Sequence, residues 1–193
     1  FGSSHFGSSR WLNSPTEGPL VRIGWPRVLE AAPSAHAKGP RQLMALPFSK
    51  RLQKELDALR ARPREEGIVV EEASDLRQWH VGVTGASGTL YADEHFTLRF
   101  IFPQRYPLES PEVVFVGPPP VHPHIYSNGH ICLSILYDHW SPALTVHAVC
   151  MSIVSMLSSC PEKVRPQDDD TYVAMVGHRS PKLSKWRYDD DKV

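Results

Sequence analysis

Three cysteines supply the strongest nucleophiles in this chain, and one of them stands apart from the other two. Cys132 lies in a turn-rich stretch without a helical or strand period. His122-Pro123-His124 precedes it by eight residues, Asn128-Gly129-His130-Ile131 leads directly into it, and Trp140-Ser141-Pro142-Ala143 closes the stretch. A thiolate attacks acyl groups near neutral pH, and the thioester it forms is activated toward amines. A cysteine bounded by turns therefore suits acyl transfer. Cys150 and Cys160 read as packing residues, because Cys150 falls on the apolar face of a periodic run and Cys160 ends that run beside Pro161.

A metal reading competes for the same segment. His122, His124, His130 and Cys132 are nitrogen and sulfur ligands of the kind zinc accepts tetrahedrally. Their spacing, His-x-His then His-x-Cys, matches no standard structural zinc pattern, and Pro123 stiffens the turn against wrapping both histidines onto one ion. No metal site is expected.

The elements that must position Cys132 follow from periodicity. Phe48, Leu52, Leu56 and Leu59 fall at helical spacing with Lys50, Arg51 and Lys54 on the surface and Pro63 as the stop. Ile68 to Val70, Trp79 to Val83, Phe96 to Phe102 and Val113 to Val116 have strand character, and Gly85, Gly88, Pro103, Pro107 and Pro111 separate them as hairpin connections would. Pro118 to Trp140 has no clear period, and such long irregular stretches are uncommon unless functional. Val146, Val149, Cys150, Ile153, Val154 and Leu157 then predict a central core helix with Thr145 as N-cap. The sum is an α+β domain, one four-stranded antiparallel meander backed by a helix. Residues 44–178 form the domain, 1–43 a disordered Gly/Ser/Pro-rich extension that opens with a repeated Phe-Gly-Ser-Ser, and 179–193 a mobile charged tail with short helical segments before it. Met44 is the expected native start.

Composition narrows the partners. Lys plus Arg and Asp plus Glu are 21 each, a formal net charge of +0, which suggests neither nucleic acid nor an anionic membrane. An odd cysteine count without repeated spacing argues against a disulfide framework and for a reducing compartment. The longest apolar run, Ala143 to Leu157, is shorter than the ~20 residues of a membrane helix.

The segment resembles the active-site region of the ubiquitin-conjugating enzymes: a His-Pro turn, an Asn-Gly turn, Ile131-Cys132-Leu133, and Trp140-Ser141-Pro142-Ala143. Arg51 to Leu56 is similar to that family's first helix, and Tyr106-Pro107 with Pro111 to its proline turn. His-Pro-His in place of His-Pro-Asn, with the tail Lys185-Trp186-Arg187-Tyr188-Asp189-Asp190, is most similar to the W type, which transfers ubiquitin to protein amino termini. The resemblance implies the family's fold, a thioester on Cys132, a structural His122, and no bound cofactor, ATP being spent by the activating enzyme. It implies nuclear and cytoplasmic localisation.

His124 stands where most of the family has asparagine, whose amide serves the tetrahedral oxyanion or supports the loop. Removing an oxyanion donor typically costs ~100- to 1000-fold in rate. Either His124 donates from its ring, or the transfer leans less on that donor. An α-amine acceptor suits the second option: its pKa of about 7.7–8.0, against about 10.4 for lysine, makes its neutral fraction at pH 7 roughly 300-fold larger.

Asp168-Asp169-Asp170 falls where the family carries an acidic residue that orients or deprotonates the amine, and Asp168 is the expected one; a solvated acidic turn is the alternative. Trp186, Tyr188 and the acidic residues after them could cover the acceptor path, although Arg187 replaces the W type's second aromatic. The resemblance matches Lys50, Arg51 and Lys54 to the face read by the activating enzyme, and Leu108, Pro142 and Ala143 to the loops held by RING or U-box ligases. Leu108 replaces the usual phenylalanine. A carrier of another ubiquitin-like modifier and an inactive binding module of the same fold are the rival readings.

Overall fold

The structure, a computed structural model, describes residues 47–177, 179–186 and 188. The extension expected at 1–43, Met44, Arg187 and Asp189 to Asp191 lie outside the described residues. Helix α1 spans Pro47–Arg60. Its apolar stripe buries Leu52, Leu56 and Leu59, and leaves Lys50 and Lys54 in solvent. A single 3-10 turn at Arg64–Glu66 ends on Gly67, whose φ of 72° is left-handed, a conformation glycine adopts without steric cost.

Four strands follow: β1 Ile68–Asp75, β2 Gln78–Thr84, β3 His95–Ile101 and β4 Glu112–Val116. They pair antiparallel in chain order, as the meander expected from sequence does. Phe96, Leu98 and Phe100 of β3 point into the core and alternate with half-exposed Thr97, Arg99 and Ile101. Strand β1 runs five residues past the predicted Val70, through polar Glu71 to Asp75. Its pairing with β2 rests on backbone bonds, and the added residues face largely outward, so no apolar alternation marks them.

Helix α2, Val146–Ser158, crosses behind the sheet with Thr145 as N-cap, its side chain accepting from the amide of Ala148. Val146, Val149, Cys150, Ile153, Met156 and Leu157 are buried. Met156 is buried in addition to the residues expected, and Val154 is half-buried against the same core. Each such side chain stabilises the fold by roughly 1.5–3 kcal/mol. Burial pushes the Cys150 thiol far above its ordinary range, consistent with an inert packing role.

After α2 the chain forms α3, Asp169–Val176, and a 3-10 turn at Pro181–Leu183. Residues 179–186, read from sequence as the start of a mobile tail, fold back instead. Lys182 Nζ donates to the carbonyl of Ser110, and Trp186 Nε1 donates to the carbonyl of Pro181. The indole lies 5.1 Å from the Tyr137 ring and 5.4 Å from the Tyr172 ring, centroid to centroid. The charged composition hid this docking, because it rests on one indole, one buried proline and a lysine rather than on an apolar period.

Candidate active site

Backbone hydrogen bonds give the irregular stretch before Cys132 its shape. The amide of Tyr126 donates to His130 O, that of Gly129 to Tyr126 O, and that of Phe115 to Gly129 O, so the Asn-Gly turn is stitched to β4. Gly129 sits at φ 86°, and a Cβ there would lie 2.2 Å from Phe115 O. Only glycine fits. Arg165 draws the loop together from the far side: its guanidinium donates to the carbonyls of Pro119, Pro120 and Ile125 at 2.7–3.0 Å. Nothing local in the sequence announces this clamp.

His122 is 3% exposed. Its Nδ1 accepts from the amide of His124 at 3.0 Å, which leaves the proton on Nε2 to donate to Met156 O at 3.2 Å. Burial holds its pKa down at about 4. Neutral and engaged through both ring nitrogens, it braces the turn against the end of α2. His124 is half-buried, its ring 5.5 Å from that of His122, and its carbonyl accepts from the amide of Cys132 at 2.9 Å. The turn thus fixes the cysteine backbone directly. Among the described residues no group of three or more His, Cys, Asp or Glu is disposed to hold a metal ion. His130 is buried and engaged elsewhere, with Nδ1 2.9 Å from Tyr172 Oη.

Cys132 is half-buried, forms no disulfide, and packs against a small cluster of Tyr126, Tyr172 and Val176 with Trp186. It opens onto a cleft of about 670 Å³ that Asp168 also lines. The three consecutive aspartates part company here. Asp168 Oδ1 accepts from Tyr126 Oη at 3.0 Å, Asp169 Oδ1 accepts from the amide of Ser127 at 2.8 Å, and Asp170 is exposed in the first turn of α3. Burial, and then the neighbouring Asp168, push the Tyr126 phenol well above its ordinary range, so it stays a donor. Tyr126 and Tyr172 rings lie 4.0 Å apart. The sequence reading missed both tyrosines, which meet across a separation no local period reports.

A family model described as ubiquitin-conjugating enzyme matches residues 51–188. The chain belongs to the ubiquitin-conjugating enzyme family. It is 57% identical over 146 residues to a probable ubiquitin-conjugating enzyme E2 W of Dictyostelium discoideum, covering 76% of this chain and 97% of that protein. It is 54% identical over 149 residues to the ubiquitin-conjugating enzyme E2 W of Caenorhabditis elegans, covering 75% and 97%. Among solved structures, a ubiquitin-conjugating enzyme E2 from Agrocybe aegerita superposes with a TM-score of 0.67 at 44% identity, covering 70% of this chain and 99% of that one. The fold expected from sequence is therefore the fold of the family, whose members are transferases working with ubiquitin, an activating enzyme and a ligase.

The surfaces matched to those partners are placed as follows in this ubiquitin-conjugating enzyme. Lys50 and Lys54 are exposed, whereas Arg51 pairs with Glu55 and donates to Leu144 O at 3.2 Å. Arg51 thus ties α1 to the segment after Pro142-Ala143. Leu108 is 70% exposed, and Pro142 and Ala143 are exposed. Trp140 Nε1 donates to Pro107 O at 2.8 Å, joining the loops that carry them.

Proposed function

We propose that Cys132 accepts ubiquitin from the activating enzyme as a thioester and passes it to the α-amino group of protein substrates with flexible amino termini. The observation that carries this reading is the shared cleft, in which a half-buried cysteine and a carboxylate anchored by Tyr126 line one opening. The Cys132 thiolate attacks the carbonyl of the incoming thioester, and the activating enzyme's thiolate leaves. In the second step the amine nitrogen attacks the Cys132 thioester. A C–N bond forms as the C–S bond breaks, and the amine proton passes to Asp168 or to water.

His122 acts as the structural brace of the turn, and His124 acts through its carbonyl on the Cys132 amide. An α-amine needs less help with deprotonation than lysine, which suits a site with histidine where most of the family has asparagine. Lys50, Arg51 and Lys54 meet the activating enzyme, and Leu108, Pro142 and Ala143 meet RING or U-box ligases. The product is monoubiquitinated protein in nucleus and cytoplasm. The protein itself holds no cofactor, because ATP is consumed by the activating enzyme.

The test is discharge of the preformed thioester onto free lysine and onto a lysine-free peptide. Loss of the adduct with the peptide amine but not with lysine is the expected result. Discharge onto lysine at an equal or greater rate contradicts the α-amine reading, and absence of charging with ubiquitin but charging with another modifier contradicts the ubiquitin reading.

A further inference from the structure

Two large apolar side chains stand in solvent at the cleft that holds Cys132. Met175 is 63% exposed and Leu183 is 76% exposed, and both line the same 670 Å³ opening as the cysteine and Asp168. Neither is exposed because its segment is loose. Met175 sits on α3, a helix held in place by the burial of its neighbours Tyr172 and Val176. Leu183 sits on the 3-10 turn whose start is capped by Ser180, whose Pro181 is buried, and whose Lys182 is tied to Glu109 and Ser110. The fold thus holds two apolar groups outward on pinned supports beside the reacting sulfur.

The lining has a second property. Asp168 supplies negative charge, and Arg179 and Lys185 supply positive charge in the same cleft. Arg179 is itself anchored, donating to Met175 O at 2.7 Å. An extended chain that enters with its α-ammonium near Asp168 meets charge of the opposite sign there, and its next residues, spaced ~3.3–3.6 Å apart, fall within reach of the remaining lining. A cleft of this size is in the range that encloses a compact ligand with a few polar groups and apolar contact area, roughly 300–1,000 Å³.

We infer that the Met175–Leu183 side of the cleft is a specificity site for the acceptor, receiving an apolar side chain at the second or third residue of the amino-terminal segment whose α-amine attacks Cys132. This assignment rests on the functional reading above and names the class of substrate that reading favours: flexible amino termini with an early apolar residue, over wholly polar ones. The apolar contact acts on capture of the acceptor, and it changes the concentration at which discharge saturates more than the limiting rate.

The experiment uses the full chain charged with ubiquitin and then separated from activating enzyme and ATP. Two lysine-free peptides, identical except for leucine or serine at the second and third residues, compete for the thioester, and mass spectrometry reads the ratio of the two products. Partial burial of a leucine predicts about a fivefold to tenfold preference for the leucine peptide. In Met175→Gln/Leu183→Ser that ratio falls to about one, and in Leu183→Met it is retained. Because the readout is a ratio within one reaction, a general loss of activity does not imitate the effect. A ratio near one in the wild-type chain, or an unchanged preference in the double variant, overturns the assignment. A thioester that discharges onto neither peptide but does discharge onto free lysine overturns the α-amine reading along with it.

Discussion

Tyr126 and Asp168, 42 residues apart, are joined by a 3.0 Å hydrogen bond from the phenol to Oδ1 of the carboxylate. The donor is buried and the acceptor is exposed, so the bond points a solvent-facing acid from a fixed support. Tyr126 also packs on Tyr172 and Trp186. The carboxylate at the cleft is therefore set by the same aromatic cluster that flanks Cys132.

Tyr126→Phe keeps the ring packing and removes the donor. Hydrogen bonds to charged groups are worth roughly 1.5–3 kcal/mol when sheltered and less when one partner is solvated. We expect discharge to an amine to slow about threefold to tenfold while thioester formation is retained. Single-turnover rates for the two steps check this, and equal slowing of both steps would assign Tyr126 to loop packing instead.

The buried neutral His122 makes stability depend on pH. Its folded-state pKa of about 4 lies below the unfolded value of about 6.5. The contribution is fully present above pH ~6.5 and is lost as pH falls toward 4, amounting to roughly 3 kcal/mol. Urea unfolding of the wild type between about pH 7 and 4.5 should show this loss. In His122→Gln, which is less stable at pH 7, the gap to wild type should narrow as the pH falls; a gap of constant size would contradict the assignment.

Glu55 joins three elements. Its carboxylate accepts from Tyr106 Oη and from the amide of Val146, each at 2.8 Å, and pairs with Arg51. Glu55→Ala leaves two buried donors without a partner and should cost roughly 2–4 kcal/mol in urea unfolding. Arg51→Ala should lower both stability and the rate of charging by the activating enzyme. Lys50→Ala and Lys54→Ala should lower charging alone, with stability within about 0.5 kcal/mol of wild type.

The contrast between Thr145 and Arg165 shows what the sequence discloses. Thr145 caps a helix three residues away from the amide it holds, and the periodic apolar run behind it makes both cap and helix legible in advance. Arg165 reaches carbonyls 40–46 residues earlier, and any exposed arginine would look the same in a linear string. Likewise Cys132 is marked by the turns around it, whereas Tyr126, Tyr172 and Trp186 become a cluster only when α3 and the returning segment pack on the loop. Among Asp168, Asp169 and Asp170, charge alone gives no preference. The partners Tyr126 and the Ser127 amide separate them.

The central claim is a ubiquitin thioester on Cys132. The most direct measurement incubates the chain with activating enzyme, ubiquitin and ATP and resolves the products on a non-reducing gel. A single adduct that DTT removes, present in Cys150→Ala and Cys160→Ala and absent in Cys132→Ala, is the predicted result. An adduct that survives in Cys132→Ala, or none at all from the folded wild-type chain, would contradict it.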